Sequence, residues 1–154
     1  MKSSRVSNGT ALLQLQSGFT LIELIITIAI VAILTTIAYP SYTDYLRRGQ
    51  VQEASGNVSD YRAKMEQFYQ DNRSYDSGGS CGVALPAAPG AKYFTYTCAT
   101  ANSGQSYTAT ATGAGGLVVG LAYTIDQLNN QGSTCTGCAW NFSGTQPTWV
   151  VRKP

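Results

Sequence analysis

Histidine is absent from this chain of 154 residues, and charge of either sign is scarce: Asp, Glu, Lys and Arg together make up 12%, about half the quarter usual in a globular domain. Without histidine there is no Ser-His-Asp or Cys-His nucleophile, no imidazole general base and no His-ligated metal. No paired carboxylates in a cleft can be inferred either. The expectation is therefore no enzyme: no catalytic residues, no metal and no cofactor. Ten Lys and Arg against eight Asp and Glu leave a net charge of +2, too small for a nucleic-acid or anionic-membrane coat. Even that excess is local. Lys2 and Arg5 precede any candidate element, and from Phe19 onward eight basic side chains meet eight acidic ones. The length allows one ordinary domain and little else.

Apolar residues are plentiful, 44% of the chain, and unevenly spread. From Phe19 to Ala38 the sequence reads FTLIELIITIAIVAILTTIA, twenty residues with a single charge, Glu23. As a helix this segment is about 30 Å long, enough to cross the hydrocarbon of a bilayer. A buried helix of a soluble protein would need far more apolar surface downstream to wrap it. A cleaved secretory signal normally has an apolar region of about 7–15 residues before a small-residue cleavage site; here the run is longer and leads into Tyr39 and Pro40. The segment reads as a membrane span.

Glu23 is the anomaly in that span. A lone carboxylate costs roughly 2.5–3.5 kcal/mol near the bilayer centre and less close to an end. No Lys or Arg lies within the segment. A cut just before Phe19 would create an α-amino group four residues away, a suitable partner on the same chain or a neighbour.

The string Gly18-Phe19-Thr20-Leu21-Ile22-Glu23, followed by the apolar run and Pro40, resembles the class III signal of type IV prepilins. The resemblance implies cleavage by a membrane peptidase between Gly18 and Phe19, N-methylation of Phe19 by the same enzyme, and a role for Glu23 as the assembly carboxylate that meets a neighbour's N-terminus. Residues 1–18 would then be a discarded leader, with Lys2 and Arg5 holding it in the cytoplasm. The leader departs from the pattern in its length and in Ser17, where a basic residue is usual, and Ala32 stands where many pilins have glycine.

Beyond residues 19–40, the expected transmembrane and assembly helix, the pattern turns amphipathic over 41–76. Val51, Ala54, Val58, Tyr61, Met65 and Phe68 recur every three or four positions, with Arg48, Glu53, Asp60, Arg62 and Lys64 mostly off that stripe. Pro40 removes one backbone donor and is expected to kink or locally melt the helix. Asn72-Arg73-Ser74, giving way to Ser77-Gly78-Gly79, marks its end. Residues 77–154 form the expected periplasmic head. Tyr93–Cys98, Ser106–Thr112 and Leu117–Ile125 alternate as half-buried strands, with Asn102-Ser103-Gly104 as a hairpin turn and a short fourth strand around Thr148–Val151. The fold class is α+β: a long N-terminal helix packed on a sheet of three or four antiparallel strands, which is also the pilin fold that the resemblance implies.

The four cysteines, Cys81, Cys98, Cys135 and Cys138, fall in the head, where an oxidising periplasm favours disulfides. Four cysteines allow three pairings. Proximity favours Cys81–Cys98 with Cys135–Cys138, whereas Cys81 and Cys98 each reaching Cys135 or Cys138 would staple the C-terminal loop to the sheet. The Cys135-Thr136-Gly137-Cys138 run lacks the helix N-terminus a thioredoxin-like motif needs, and a zinc site would need all four thiols with only one C-x-x-C.

Tyr69-x-Asp71-Asn72-x-x-Tyr75, Tyr93-Phe94-x-Tyr96 and Gly120-Leu121-x-Tyr123-Thr124-Ile125-Asp126, followed by a cysteine-tryptophan region, are similar to PilE-type minor pilins. That resemblance implies a structural pilus subunit whose partners are other pilin subunits, the prepilin peptidase and N-methyltransferase, and an inner-membrane assembly platform. It would reside in the inner membrane before assembly and in the extracellular pilus afterwards, supporting biogenesis, twitching motility, adhesion or DNA uptake. Two alternatives stand beside it. A competence-type DNA-binding pilin would rely on Arg73, Lys92, Arg152 and Lys153, with Trp140 and Trp149 as stacking platforms; those residues also read as solvated charges and core aromatics. A type II secretion pseudopilin typically carries a calcium site near the C-terminus, and here no acidic residue follows Asp126.

Overall fold

The computed structural model describes residues 18–153. The expected leader, apart from Gly18, lies outside the described residues, and Lys2, Arg5 and Ser17 with it. One helix, α1, runs Leu21–Asn72, and four strands follow: β1 Phe94–Ala101, β2 Ser106–Gly113, β3 Leu121–Asp126 and β4 Gln131–Cys135. They form one antiparallel sheet in the order β1-β2-β3-β4, a meander. The chain divides into two compact units, one ending at Ile37 and one beginning at Ala38.

Among the described residues of the first unit nothing is buried. Its residues from Gly18 onward are all exposed, including Ile25, Ile28, Ile33 and Leu34, and the apolar window reaches a mean hydropathy of 2.6. Its threonines turn their hydroxyls back on the helix. Thr27 donates to the carbonyl of Leu24 at 2.8 Å, Thr35 to Val31 at 2.7 Å and Thr36 to Ile33 at 2.7 Å. Such bonds leave little polar demand on the outer surface, which suits a segment surrounded by hydrocarbon.

In the second unit the helical stripe and the strand alternation meet. Val51, Ala54, Val58, Tyr61 and Met65 are buried in one cluster with Phe94 of β1, Tyr107, Ala109 and Ala111 of β2, and Leu121, Tyr123 and Ile125 of β3. Full burial of each large side chain is worth about 1.5–3 kcal/mol. Phe68 is half-buried and lies over Gly82, where any Cβ would strike its ring. The α-helix assignment continues without a break through Pro40, so the proline does not melt it. It ends at Asn72, and the rest of the 41–76 stretch is a turn, opened by Arg73 at φ 58°.

Two strand expectations need correction. Leu117–Val119 does not begin the third strand. Gly116–Val118 is a short 3-10 turn, because Gly116 takes φ 62° and the Leu117 amide donates to Gln50 Oε1 of α1 at 2.7 Å. The fourth strand is Gln131–Cys135, not Thr148–Val151. The C-terminal segment instead pairs with β4 at one bridge, Ser133 with Gln146. It is then held by the Ser133 hydroxyl, which donates to Thr148 O at 2.7 Å and accepts from Val150 N at 3.2 Å. The hairpin turn sits at Asn102–Gly104, all three residues with positive φ.

Candidate functional site

The N-terminal site is built at the start of α1. Gly18, Phe19 and Thr20 are non-helical and exposed. Thr20 caps the helix: its Oγ1 accepts from the Glu23 amide at 3.2 Å, and its carbonyl accepts from Leu24 N at 3.2 Å. Thr20-x-x-Glu23 is the spacing of a capping box, a signal present in the sequence that the reading of Glu23 as an isolated charge passed over. Glu23 lies in the first turn, where the helix dipole favours an anion by about 0.3–1 kcal/mol. Glu23 therefore has one local stabilisation, and the exposed Phe19 lies four residues before it. Among the described residues of this unit no cation stands beside it.

A second cluster fastens the helix to the head just beyond Pro40. Asp44 accepts from Trp140 Nε1 at 2.6 Å and from Arg48 at 2.7 and 3.0 Å, with Arg47 Nη1 at 3.4 Å. Arg47 Nε also donates to Leu117 O at 2.9 Å. The Trp140 bond, foremost, and the two guanidinium groups hold the Asp44 carboxyl below its ordinary range, against the opposing effect of burial. Trp140 is only 3% exposed. It is a buried anchor and no stacking platform, contrary to one of the alternatives raised above. Trp149 is half-buried, its Nε1 donating to Thr124 O at 2.9 Å.

About two and a half turns beyond Asp44 along α1, Glu53 receives three consecutive amides. Its Oε1 accepts from Lys92 N at 2.9 Å, Tyr93 N at 3.0 Å and Phe94 N at 3.1 Å, and Oε2 also accepts from Tyr93 at 3.1 Å. Asn57 continues this seam, donating to Gly90 O and to Tyr96 Oη, both at 2.9 Å. No residue pattern announced Asp44 or Glu53, since their partners are 96 and about 40 positions away.

Disulfides join Cys81 to Cys98 and Cys135 to Cys138, with Cα separations of 6.1 and 5.3 Å. The first ties the turn after α1 to β1. The second closes a short loop at the end of β4, and that loop packs against the Gly120 backbone, with Thr136 N donating to Gly120 O at 2.8 Å. The tyrosines pack as a core group: Tyr69 stacks on Tyr75 at 4.5 Å between centroids, and Tyr75 meets Tyr107 at 4.8 Å. Burial, with help from Glu66, pushes the Tyr75 hydroxyl up to about 12, and burial raises Tyr107 and Tyr123 further. Of the four cations named for DNA contact, Arg73, Lys92, Arg152 and Lys153 are all exposed. Lys92 lies 5.0 Å from the Tyr93 ring.

Comparison with known proteins bears on this arrangement directly. Residues 13–39 match the family model of the prokaryotic N-terminal methylation motif. Residues 40–119 match the model of the type IV minor pilin ComP, DNA uptake sequence receptor. The chain is 32% identical to the fimbrial protein EcpC of Eikenella corrodens over 130 residues, covering 83% of this chain and 85% of that protein. It is 43% identical over 74 residues to a type IV major pilin protein PilE1 of Neisseria gonorrhoeae, a match that covers 48% of this chain and 35% of that relative's length. Among solved structures, the non-core minor pilin PilV of Neisseria meningitidis superposes with a TM-score of 0.50 at 16% identity, over 62% of this chain and 94% of that one. This last likeness is one of fold.

Proposed function

This chain belongs to the type IV pilin family, and from that premise we propose that it is a minor subunit of a type IV pilus, cut between Gly18 and Phe19 and methylated on the new Phe19 terminus. The observation that carries the reading is the match to the methylation motif across this junction, followed by an apolar helix on which no side chain is covered. The subunit is stored in the inner membrane through Phe19–Ala38 with its head in the periplasm. Assembly moves that segment from lipid into a bundle of like helices, so little apolar surface meets water on the way. Pairing of Glu23 with a neighbour's Phe19 ammonium offsets the cost of burying both charges and sets the axial register. Other pilins, the processing peptidase and the inner-membrane platform are the partners this scheme requires.

The test is Glu23→Ala in cells that assemble pili. The variant is expected to be inserted and cleaved, with Phe19 N-terminal by mass spectrometry, yet missing from sheared filaments. Incorporation at the parental level refutes the assigned role of Glu23.

A second reading has one specific support. The family model described as a DNA uptake sequence receptor covers residues 40–119, and Arg73 and Lys92 are exposed within that stretch. On this reading the minor subunit also receives DNA at the filament surface, through phosphate contacts from exposed cations and not through Trp140.

A further inference from the structure

Directly after the apolar span, α1 carries Tyr39, Tyr42 and Tyr45, which are 66%, 60% and 73% exposed. Every other tyrosine of the chain is buried or half-buried, so this exposure is particular to one stretch. The spacing of three places the rings within an arc of about 120° on the helix. Tyr45 lies nine residues before Ala54, about 180° around the axis from it, and Ala54 is fully buried under the sheet. Tyr42, twelve residues before Ala54, lies about 120° from it and Tyr39, fifteen before, about 60°. Tyr45 and Tyr42 therefore turn away from the face the head covers, and Tyr39 is bare although it lies nearer that face. From Tyr39 to Tyr45 the helix rises about 9 Å, comparable to the polar interfacial layer of one leaflet, about 5–8 Å. Arg48 follows at the exposed surface, paired with Asp44, whereas Arg47 is turned into the head and donates to Leu117 O.

We propose that Tyr39, Tyr42 and Tyr45 form an interfacial belt that docks in the periplasmic headgroup layer and fixes the depth of the membrane-stored subunit. The proposal rests on the reading of Phe19–Ala38 as a membrane span and is continuous with it. A tyrosine ring suits that layer because its apolar body can lie against the upper acyl chains while the hydroxyl reaches water or phosphate. The belt also gives the stored helix a fixed stop. Hydrocarbon alone would let an apolar segment slide, at a cost of only fractions of a kcal/mol per Å. At the other end of the span Glu23 lies four residues, about 6 Å, in from Phe19. A belt that resists sliding toward the periplasm keeps this carboxylate near its own interface, where its cost is lower.

The test places tryptophan in the belt. The full chain carrying Tyr42→Trp is reconstituted into vesicles of phosphatidylethanolamine and phosphatidylglycerol containing lipids brominated either high or deep on the acyl chain. The parent chain supplies the background from Trp140 and Trp149. The added emission is expected to be lost with the shallow bromine and kept with the deep one. Loss with the deep bromine places the ring in the hydrocarbon and overturns the belt. Insensitivity to both, with quenching by aqueous iodide, overturns it in favour of water. Insensitivity to all three quenchers overturns it in favour of a neighbouring copy covering the ring. A chain that does not float with the vesicles removes the span itself, and the belt falls with it.

Discussion

Substitution at Glu53 tests what fastens the sheet to the helix. Its carboxylate receives the amides of Lys92, Tyr93 and Phe94 at 2.9–3.1 Å, at the point where the chain enters β1. Hydrogen bonds to a charged acceptor contribute about 1.5–3 kcal/mol each when measured singly. Here two of the three donors rely on one oxygen alone, and Glu53 is half-buried, so water can replace part of what is lost and the terms do not add. For Glu53→Ala we expect a loss of about 2–4 kcal/mol. Glu53→Gln keeps one neutral acceptor in the same place and forfeits the charge assistance, roughly half the bond strength, so about 1–2 kcal/mol. For a unit of this size, Ala38–Pro154, 1 kcal/mol moves Tm by about 4 °C. The glutamine variant is therefore expected about 4–8 °C below the parent, with the alanine variant lower still. The assay is thermal unfolding of the full chain in detergent, followed by near-ultraviolet circular dichroism, which reports the aromatic core of the head. Equal effects of Gln and Ala would mean that the neutral amide keeps none of the bonds and the charge carries the seam, whereas a Gln variant at the parental Tm would mean that charge plays no part. Tm values within about 2 °C of the parent for both would mean that the seam contributes nothing, and the reasoning would fail.

Two further outcomes follow from the same geometry. Because the Asp44 carboxyl is held below its ordinary value of 3.8, its contribution is fully present above that pH and is lost as pH falls through the depressed value; Trp140→Phe, which removes the foremost cause, is expected to flatten this acid loss in unfolding curves recorded below pH 4, and an unchanged acid limb would refute the link. If the head receives DNA through the four exposed cations Arg73, Lys92, Arg152 and Lys153, the full chain in detergent should shift a short duplex with a slope of log affinity against log salt no steeper than about −3.6, and the absence of any salt-dependent shift near physiological ionic strength removes that reading.

Long periodic features were legible from residues alone. The stripe from Val51 to Met65 repeats with the helix period, and Tyr107, Ala109 and Ala111 alternate with threonines, so burial on one face follows from the spacing. β4 was not legible because it lacks that alternation: in Gln131-Gly132-Ser133-Thr134-Cys135 the two neighbouring buried residues are a glycine and a serine. Gly132 is admitted because Thr124 Oγ1 leaves no space for a Cβ, and Ser133 because its hydroxyl is used by the C-terminal segment. That segment looked like a strand because Trp149 and Val150 are large and apolar, but they pack beneath side-chain bonds rather than within a ladder. At the candidate sites the division is the same. Gly18, Phe19 and Glu23 stand in one contiguous motif and can be read from the chain. Asp44 with Trp140 and Glu53 with β1 are pairings across long separations, which a single sequence does not encode locally.

The two units meet the problem of holding a helix in opposite ways, and this locates where assembly can be specific. From Asp44 to Asn57 the helix is fixed by directional polar bonds to named partners, so substitution there acts on the fold of one subunit. From Leu21 to Ile37 threonine hydroxyls are satisfied within the helix and the remaining surface is aliphatic. Such a surface is indifferent to whether lipid chains or other helices surround it, and dispersion contacts differ little between the two. Transfer from membrane to filament therefore has little apolar free energy with which to choose a register. The one group in the span with a strong preference is Glu23, whose burial without a counter-charge costs roughly 2.5–3.5 kcal/mol near a bilayer centre. Conservative changes such as Ile28→Leu should leave filament incorporation intact where Glu23→Ala abolishes it, because only the latter removes a directional partner from an otherwise featureless surface.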